Sequence, residues 1–150
     1  MLDVTARSSR VSGVAPVVSY SSRVTIPNEG ESLSYTRTFT IDDVRAFADV
    51  SRDRGIHHVN TDKDGRLLVH GLLTATLPTK LGGDIDYLAQ DMTFRFHRPV
   101  FTGDGILCDC RAAKVEDRGD RTYVEFDIRC TNQHGKEVLT GSTTGVILRR

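Results

Sequence analysis

The stretch LLVHGLLTATLPTKLGG, Leu67 to Gly83, is the most apolar run in the chain. It is too long and too glycine-bounded for one strand, and it reads as one buried helix that a sheet wraps around. Its helical part is expected from about Gly71 to Leu81. Leu72, Leu73, Ala75, Thr76, Leu77 and Leu81 leave little polar surface, so burial on several sides is expected. Pro78 removes one internal hydrogen bond and should bend the helix or mark its last turns. Gly82-Gly83 is expected to end it.

Downstream, four segments read as strands. Tyr87 to Val100 is the longest candidate, with Met92, Phe94 and Phe96 on one face and Pro99 at an edge or bulge. Gly105 to Val115 and Thr122 to Cys130 follow, joined by the turn Asp117-Arg118-Gly119-Asp120. Val124, Phe126, Ile128 and Cys130 alternate inward. Lys136 to Leu148 is the last strand. Upstream, Ser32 to Phe39 reads as a first strand. Thr40 opens a T-I-D-D capping box with Asp43 at the third helical position, and a short helix runs to Val50-Ser51. The order of elements gives an α+β fold with an antiparallel sheet of five to six strands around one long buried helix. Open edge strands make dimerisation a physical expectation. Residues 1–30 are expected to be a weakly ordered arm or an extra strand, and residues 31–150 the folded domain.

The 150 residues suit about one domain with a usable core. Charges balance, with 20 basic and 20 acidic side chains, so no basic face is advertised for nucleic acid. No apolar run is long enough to span a membrane, and the first twenty residues lack a signal pattern. The cytoplasm is the expected compartment. Cys108 and Cys110 are two apart in a strand and share a face, and with Cys130 they are expected to be small buried residues rather than metal ligands.

Between the two helical segments lies SRDRGIHHVNTDKDGR, a polar loop carrying Asp53, His57 and His58, with a turn at Asp62 to Gly65. Asp53 and His58 are five apart. Gly71 follows shortly, at the start of the buried helix, where unpaired N–H groups face a developing negative charge. A base, an acid and an anion-stabilising backbone are what proton chemistry beside a carbonyl requires. His57 is expected to be a solvated neighbour, and His70 to brace the loop and position Gly71. The histidine spacing matches no short metal motif. No metal, redox cofactor or other prosthetic group is required.

Three segments carry a resemblance to a known family: SRDRGIHH at Ser51 to His58, VHG at Val69 to Gly71, and YLAQDMTFRFHRPVFTGD at Tyr87 to Asp104. Together they resemble the MaoC-like, or (R)-specific enoyl-CoA hydratase, branch of the hotdog fold. The resemblance runs from about Phe39 to Gly141. It implies a catalytic aspartate at Asp53 and a catalytic histidine at His58. It implies a glycine at Gly71 whose N–H binds the thioester oxygen, with His70 beside it, and a substrate-placing helix hydroxyl at Thr79. It also implies dimers or higher assemblies built from dimers, acting on thioesters of coenzyme A or acyl carrier protein. The family loop reads Ser-x-Asp-x-Asn-Pro-x-His; here Asn-Pro is Gly55-Ile56, and Asn60 replaces a frequent aspartate.

The expected function is reversible hydration of trans-2-enoyl thioesters and dehydration of (R)-3-hydroxyacyl thioesters. Two alternatives stand beside it. A hotdog acyl-thioester hydrolase would carry its carboxylate on or beside the buried helix, and Leu67 to Gly83 contains none. A non-catalytic acyl-binding or partner-binding subunit draws on the altered Gly55-Ile56 pair. Arg52, Arg54, Lys80 and Arg98 are candidates for binding the phosphates of the carrier.

Overall fold

The computed structural model describes residues 25–149, so most of the expected N-terminal arm lies outside the described residues. Nine elements follow one another: β1 (Ser32–Thr38), α1 (Ile41–Ser51), α2 (Ile56–Val59), α3 (Gly71–Thr74), α4 (Thr76–Asp84), β2 (Tyr87–Phe96), β3 (Gly105–Asp117), β4 (Arg121–Thr131) and β5 (Glu137–Leu148). The five strands form one antiparallel sheet in the order β1-β3-β4-β5-β2. Strands β1 and β2 are its edges. The hairpins arise where the sequence placed turns, and Gly119 supplies the left-handed residue of the β3–β4 turn at φ 84°.

The apolar run is helical only in its second part. Leu67 to Val69 are extended, because Val69 N–H donates to the Val100 carbonyl (2.8 Å) and Thr102 N–H to the Leu67 carbonyl (3.0 Å). The helix begins at Gly71 and is interrupted at Ala75, which separates α3 from α4. Pro78 explains the interruption: it has no N–H for the Thr74 carbonyl one turn back. Thr76 Oγ1 meanwhile donates to the Leu73 carbonyl at 2.6 Å. Gly82 and Gly83 do not end the helix; they lie inside α4, and the left-handed position falls on Asp86, at φ 52°.

Inward residues of β3, β4 and β5 close on the helix. Leu77, Ile106, Val124, Val138 and Leu139 are fully enclosed, with Phe39 and Leu67 beside them. Burial of each such side chain contributes roughly 1.5–3 kcal/mol. Cys108, Cys110 and Cys130 sit in this core as free thiols. Hydrogen bonding to Cys110 and burial hold the Cys108 thiol far above its usual range, which makes it inert.

Two expectations change at the sheet edge. β3, at 13 residues, is the longest strand, while β2 stops at Phe96 after 10, short of Pro99. The helix is not buried on every side: Leu72 is 64% exposed, and on β2 Met92 (43%) and Phe96 (50%) are half open. The cause is topological, since β2 pairs with β5 on one side and with no strand among the described residues on the other.

Candidate active site

The loop after α1 is built to project Asp53. Thr40 caps α1 as expected: its hydroxyl accepts from Asp43 N–H, and the Asp43 carboxylate accepts from Thr40 N–H. At the other end Arg52 adopts φ 65°, a left-handed C-cap that turns the chain sharply. Ser51 Oγ donates to the Phe47 carbonyl (2.6 Å) and accepts from Asp53 N–H (3.1 Å), which pins Asp53 to the helix end. Gly55 N–H then donates to Asp53 Oδ1 at 3.1 Å. The loop expected between the helices contains one further helical turn, α2, and this turn swings His58 inward while His57 stays outside.

His58 is 6% exposed. Its Nδ1 lies 2.7 Å from the Leu68 carbonyl, and a carbonyl only accepts, so Nδ1 carries the proton. Nε2 makes no hydrogen bond among the described residues. It lies 3.8 Å from Asp53 Oδ2, longer than a direct hydrogen bond. Asp53's own side chain is 58% exposed.

His70 packs behind this pair. It is 2% exposed, and its Nε2 donates to the Asp53 carbonyl at 2.9 Å. Its ring stacks on His58 with centroids 3.6 Å apart and an interplanar angle of 16°. Phe47 covers it from another side, at 4.9 Å.

An open cleft of about 410 Å³ is lined by His58, Gly71, Thr74, Phe96, Arg98 and Val138, among others. Gly71 is thus brought to the same space as His58, and the first N–H groups of α3 have no partner within the helix. Neither Asp53 nor His70 lines the cleft. Thr79 is placed elsewhere. It lines a smaller apolar cavity of about 90 Å³ with Tyr87, Met92, Cys110 and Phe126. Its hydroxyl donates to the Ala75 carbonyl at 3.1 Å. Of the four basic candidates, Arg98 lines the cleft and donates to the Glu137 carbonyl (2.7 Å). Arg54 is paired with Asp49, and Lys80 with Asp84.

Two site features were not read from the sequence. The Leu68 carbonyl sets the His58 tautomer, and a backbone atom leaves no signature in a side-chain pattern. Phe96 reaches across to Gly71, a contact that depends on how β2 crosses the helix start.

Asp53, His58 and His70 each bring a donor atom within 4.8 Å of the others. The stack argues against chelation. An imidazole holds a metal in its ring plane at roughly 2.0–2.1 Å. Two nearly parallel rings 3.6 Å apart share no such point.

The model of the FAS1-like dehydratase domain region matches residues 57–141. The chain is 28% identical to a mitochondrial 3-hydroxyacyl-[acyl-carrier-protein] dehydratase of Arabidopsis thaliana, over 82% of this chain and 79% of that protein. It is 28% identical to an (R)-specific enoyl-CoA hydratase of Rhodospirillum rubrum, over 81% of this chain and 89% of that protein. Among solved structures, the (R)-hydratase from A. caviae superposes with a TM-score of 0.71 at 25% identity, covering 82% of this chain and 98% of that one. The family match covers more than half of the chain, from within α2 into β5. The chain belongs to the FAS1-like dehydratase region family, a MaoC-like branch of the hotdog fold.

Proposed function

We propose that this protein is a hydro-lyase that adds water across trans-2-enoyl thioesters and removes it from (R)-3-hydroxyacyl thioesters of coenzyme A or acyl carrier protein. The observation that carries the reading is His58, which lines the same cleft as Gly71 and whose Nε2 lies 3.8 Å from Asp53 Oδ2. In hydration, Asp53 Oδ2 and His58 Nε2 hold one water. Nε2 takes its proton as the oxygen bonds to Cβ, the imidazolium passes that proton to the Asp53 carboxylate, and Asp53 delivers it to Cα, which leaves both groups as they began. Dehydration is the reverse. Each well-placed proton transfer contributes roughly 10²- to 10⁴-fold. The Gly71 N–H, aimed at the enolate-like thioester oxygen, adds on the order of 3 kcal/mol. The acyl chain follows the helix from Gly71 towards the apolar cavity that Thr79 lines, with the carrier outside near Arg98.

A second copy of the chain completes the assembly in this reading. Strand β2 offers an edge unpaired among the described residues, with Leu88, Met92 and Phe96 exposed, and Leu72 is exposed on the helix. Light scattering of the purified protein tests it: a dimer or a multiple of dimers is expected, and a monomer at working concentration contradicts it. Three buried free thiols suit a reducing compartment, and the cytoplasm is the proposed location. No helix among the described residues is long and apolar enough to cross a membrane.

Crotonyl-CoA tests the activity. Loss of the enoyl absorbance with formation of (R)-3-hydroxybutyryl-CoA is expected. Free coenzyme A without hydration contradicts the reading in favour of hydrolysis, and absence of turnover with short and medium acyl thioesters contradicts it in favour of a binding subunit.

A further inference from the structure

His70 carries two sets of interactions that meet nowhere else in the described residues. Its main chain begins the helix: its carbonyl accepts from Thr74 N–H (3.0 Å) and from the Thr74 hydroxyl (3.4 Å), and Gly71 follows it directly. Its side chain points the other way, into the loop. There Nε2–H donates to the Asp53 carbonyl (2.9 Å), and the ring lies against His58 at 3.6 Å. Phe47 closes it in. Only a residue reaching both ways can set Asp53 and His58 relative to the backbone of Gly71.

The unused nitrogen is informative. Nδ1 of His70 is buried and has no hydrogen-bond partner among the described residues. With Nε2 committed as donor, Nδ1 carries a lone pair. The buried ring thus leaves one acceptor unmet, which costs stability. An apolar ring of similar shape would avoid that cost and still fill the space between Phe47 and His58. Stability by itself does not favour histidine here. What an apolar ring lacks is the N–H that holds the Asp53 carbonyl.

We infer that His70 is a positioning residue for the Asp53–His58 pair: its Nε2–H and its stacked face hold the carboxylate and the imidazole at their working separation and in register with the Gly71 N–H. The inference rests on the hydratase reading above. Among the described residues, a loop released from His70 leaves Asp53 hydrogen-bonded through Ser51 and its own turn to Gly55. Small misplacements of reacting groups cost rate rather than binding.

The test compares His70→Phe, which keeps a stacking ring without the N–H, with His70→Gln, whose amide N–H replaces Nε2. Asp53→Asn and His58→Ala are measured in the same crotonyl-CoA assay. His70→Phe is expected to lower kcat about 10- to 100-fold with KM within about threefold of wild type, and His70→Gln to recover most of the loss. Equal kcat for the two variants, or a change confined to KM, overturns the inference. If Asp53→Asn and His58→Ala retain full turnover, the hydratase site itself is wrong. If those two fail and His70→Phe does not, only the role of His70 is wrong. A reading that does not depend on variants folding is the ¹⁵N spectrum of the imidazoles in the wild-type protein. The proton is expected on Nδ1 of His58 and on Nε2 of His70, and the opposite tautomer at either ring overturns the inference.

Discussion

The ring of Phe96 closes on Gly71 so tightly that a Cβ at that position would lie 3.0 Å from its Cε1 atom. Gly71→Ala therefore pushes on a half-exposed ring that can move, and a helix start otherwise welcomes alanine. Stability is expected to change by less than about 1 kcal/mol. The cleft beside the Gly71 N–H is disturbed, so kcat/KM is expected to fall about 10- to 100-fold. Because the two residues touch, Phe96→Ala should relieve part of the loss, giving a non-additive double mutant. Kinetics of the two single variants and the pair check this.

The same substitution at two other glycines should have opposite signs. Gly83 lies exposed inside α4, and a Cβ there meets nothing within 4 Å. Gly83→Ala is expected to stabilise by about 0.5–1 kcal/mol. At Gly141 of β5 a Cβ would stand 2.1 Å from the Thr93 carbonyl of β2, which is backbone and cannot turn aside. Gly141→Ala should cost more than about 2 kcal/mol or prevent folding. Urea unfolding of both proteins decides the signs.

Ile56 is the first residue of α2, where a proline is readily accepted, and it is 71% exposed. Gly55 before it has φ −51° and ψ 141°, the conformation that a following proline demands. Ile56→Pro is expected to raise stability by about 0.4–1 kcal/mol and to leave kcat within about threefold. Thermal melts and the hydration assay measure both. The departure from the family's Asn-Pro therefore changes how free the unfolded loop is more than where the folded loop places Asp53.

Asp43 ties the capping box together. Its carboxylate is held below the usual range, first by the Thr40 N–H, against the opposing effect of burial, and then by smaller effects of the Thr40 hydroxyl and the Arg37 guanidinium. A carboxylate lowered on folding stabilises fully above its unfolded value, and that contribution is lost as the pH falls through the folded one. Asp43→Ala should cost about 1 kcal/mol at pH 7 and progressively less below about pH 4. Denaturation at pH 7 and pH 3 measures the difference, and an equal cost at both would contradict it.

Much of the fold was legible because local chemistry and tertiary structure agree. Thr40 and Asp43 are a capping pair in both. Val124, Phe126, Ile128 and Cys130 alternate into a core in both, and the Asp117-to-Asp120 turn closes a hairpin. The misplacements came from interactions at a distance. The helix starts at Gly71 as its sequence suggests, yet nothing in the sequence shows that Leu67 to Val69 pair with residues 100–102. Gly82-Gly83 look like a stop, yet the α4 backbone continues through them to Asp84. At the site, Asp53, His58 and Gly71 were visible as residue types at telling positions. The face-to-face contact of His58 with His70 was not, because no spacing in the chain encodes a ring stack across 12 residues of loop and turn.

The most direct measurement is steady-state hydration of crotonyl-CoA by wild type, Asp53→Asn and His58→Ala, with unfolding curves taken in parallel. The account predicts that each variant keeps its fold and its KM within about threefold while kcat drops by roughly 10²- to 10⁴-fold. Folded variants that turn over crotonyl-CoA at the wild-type rate would contradict it.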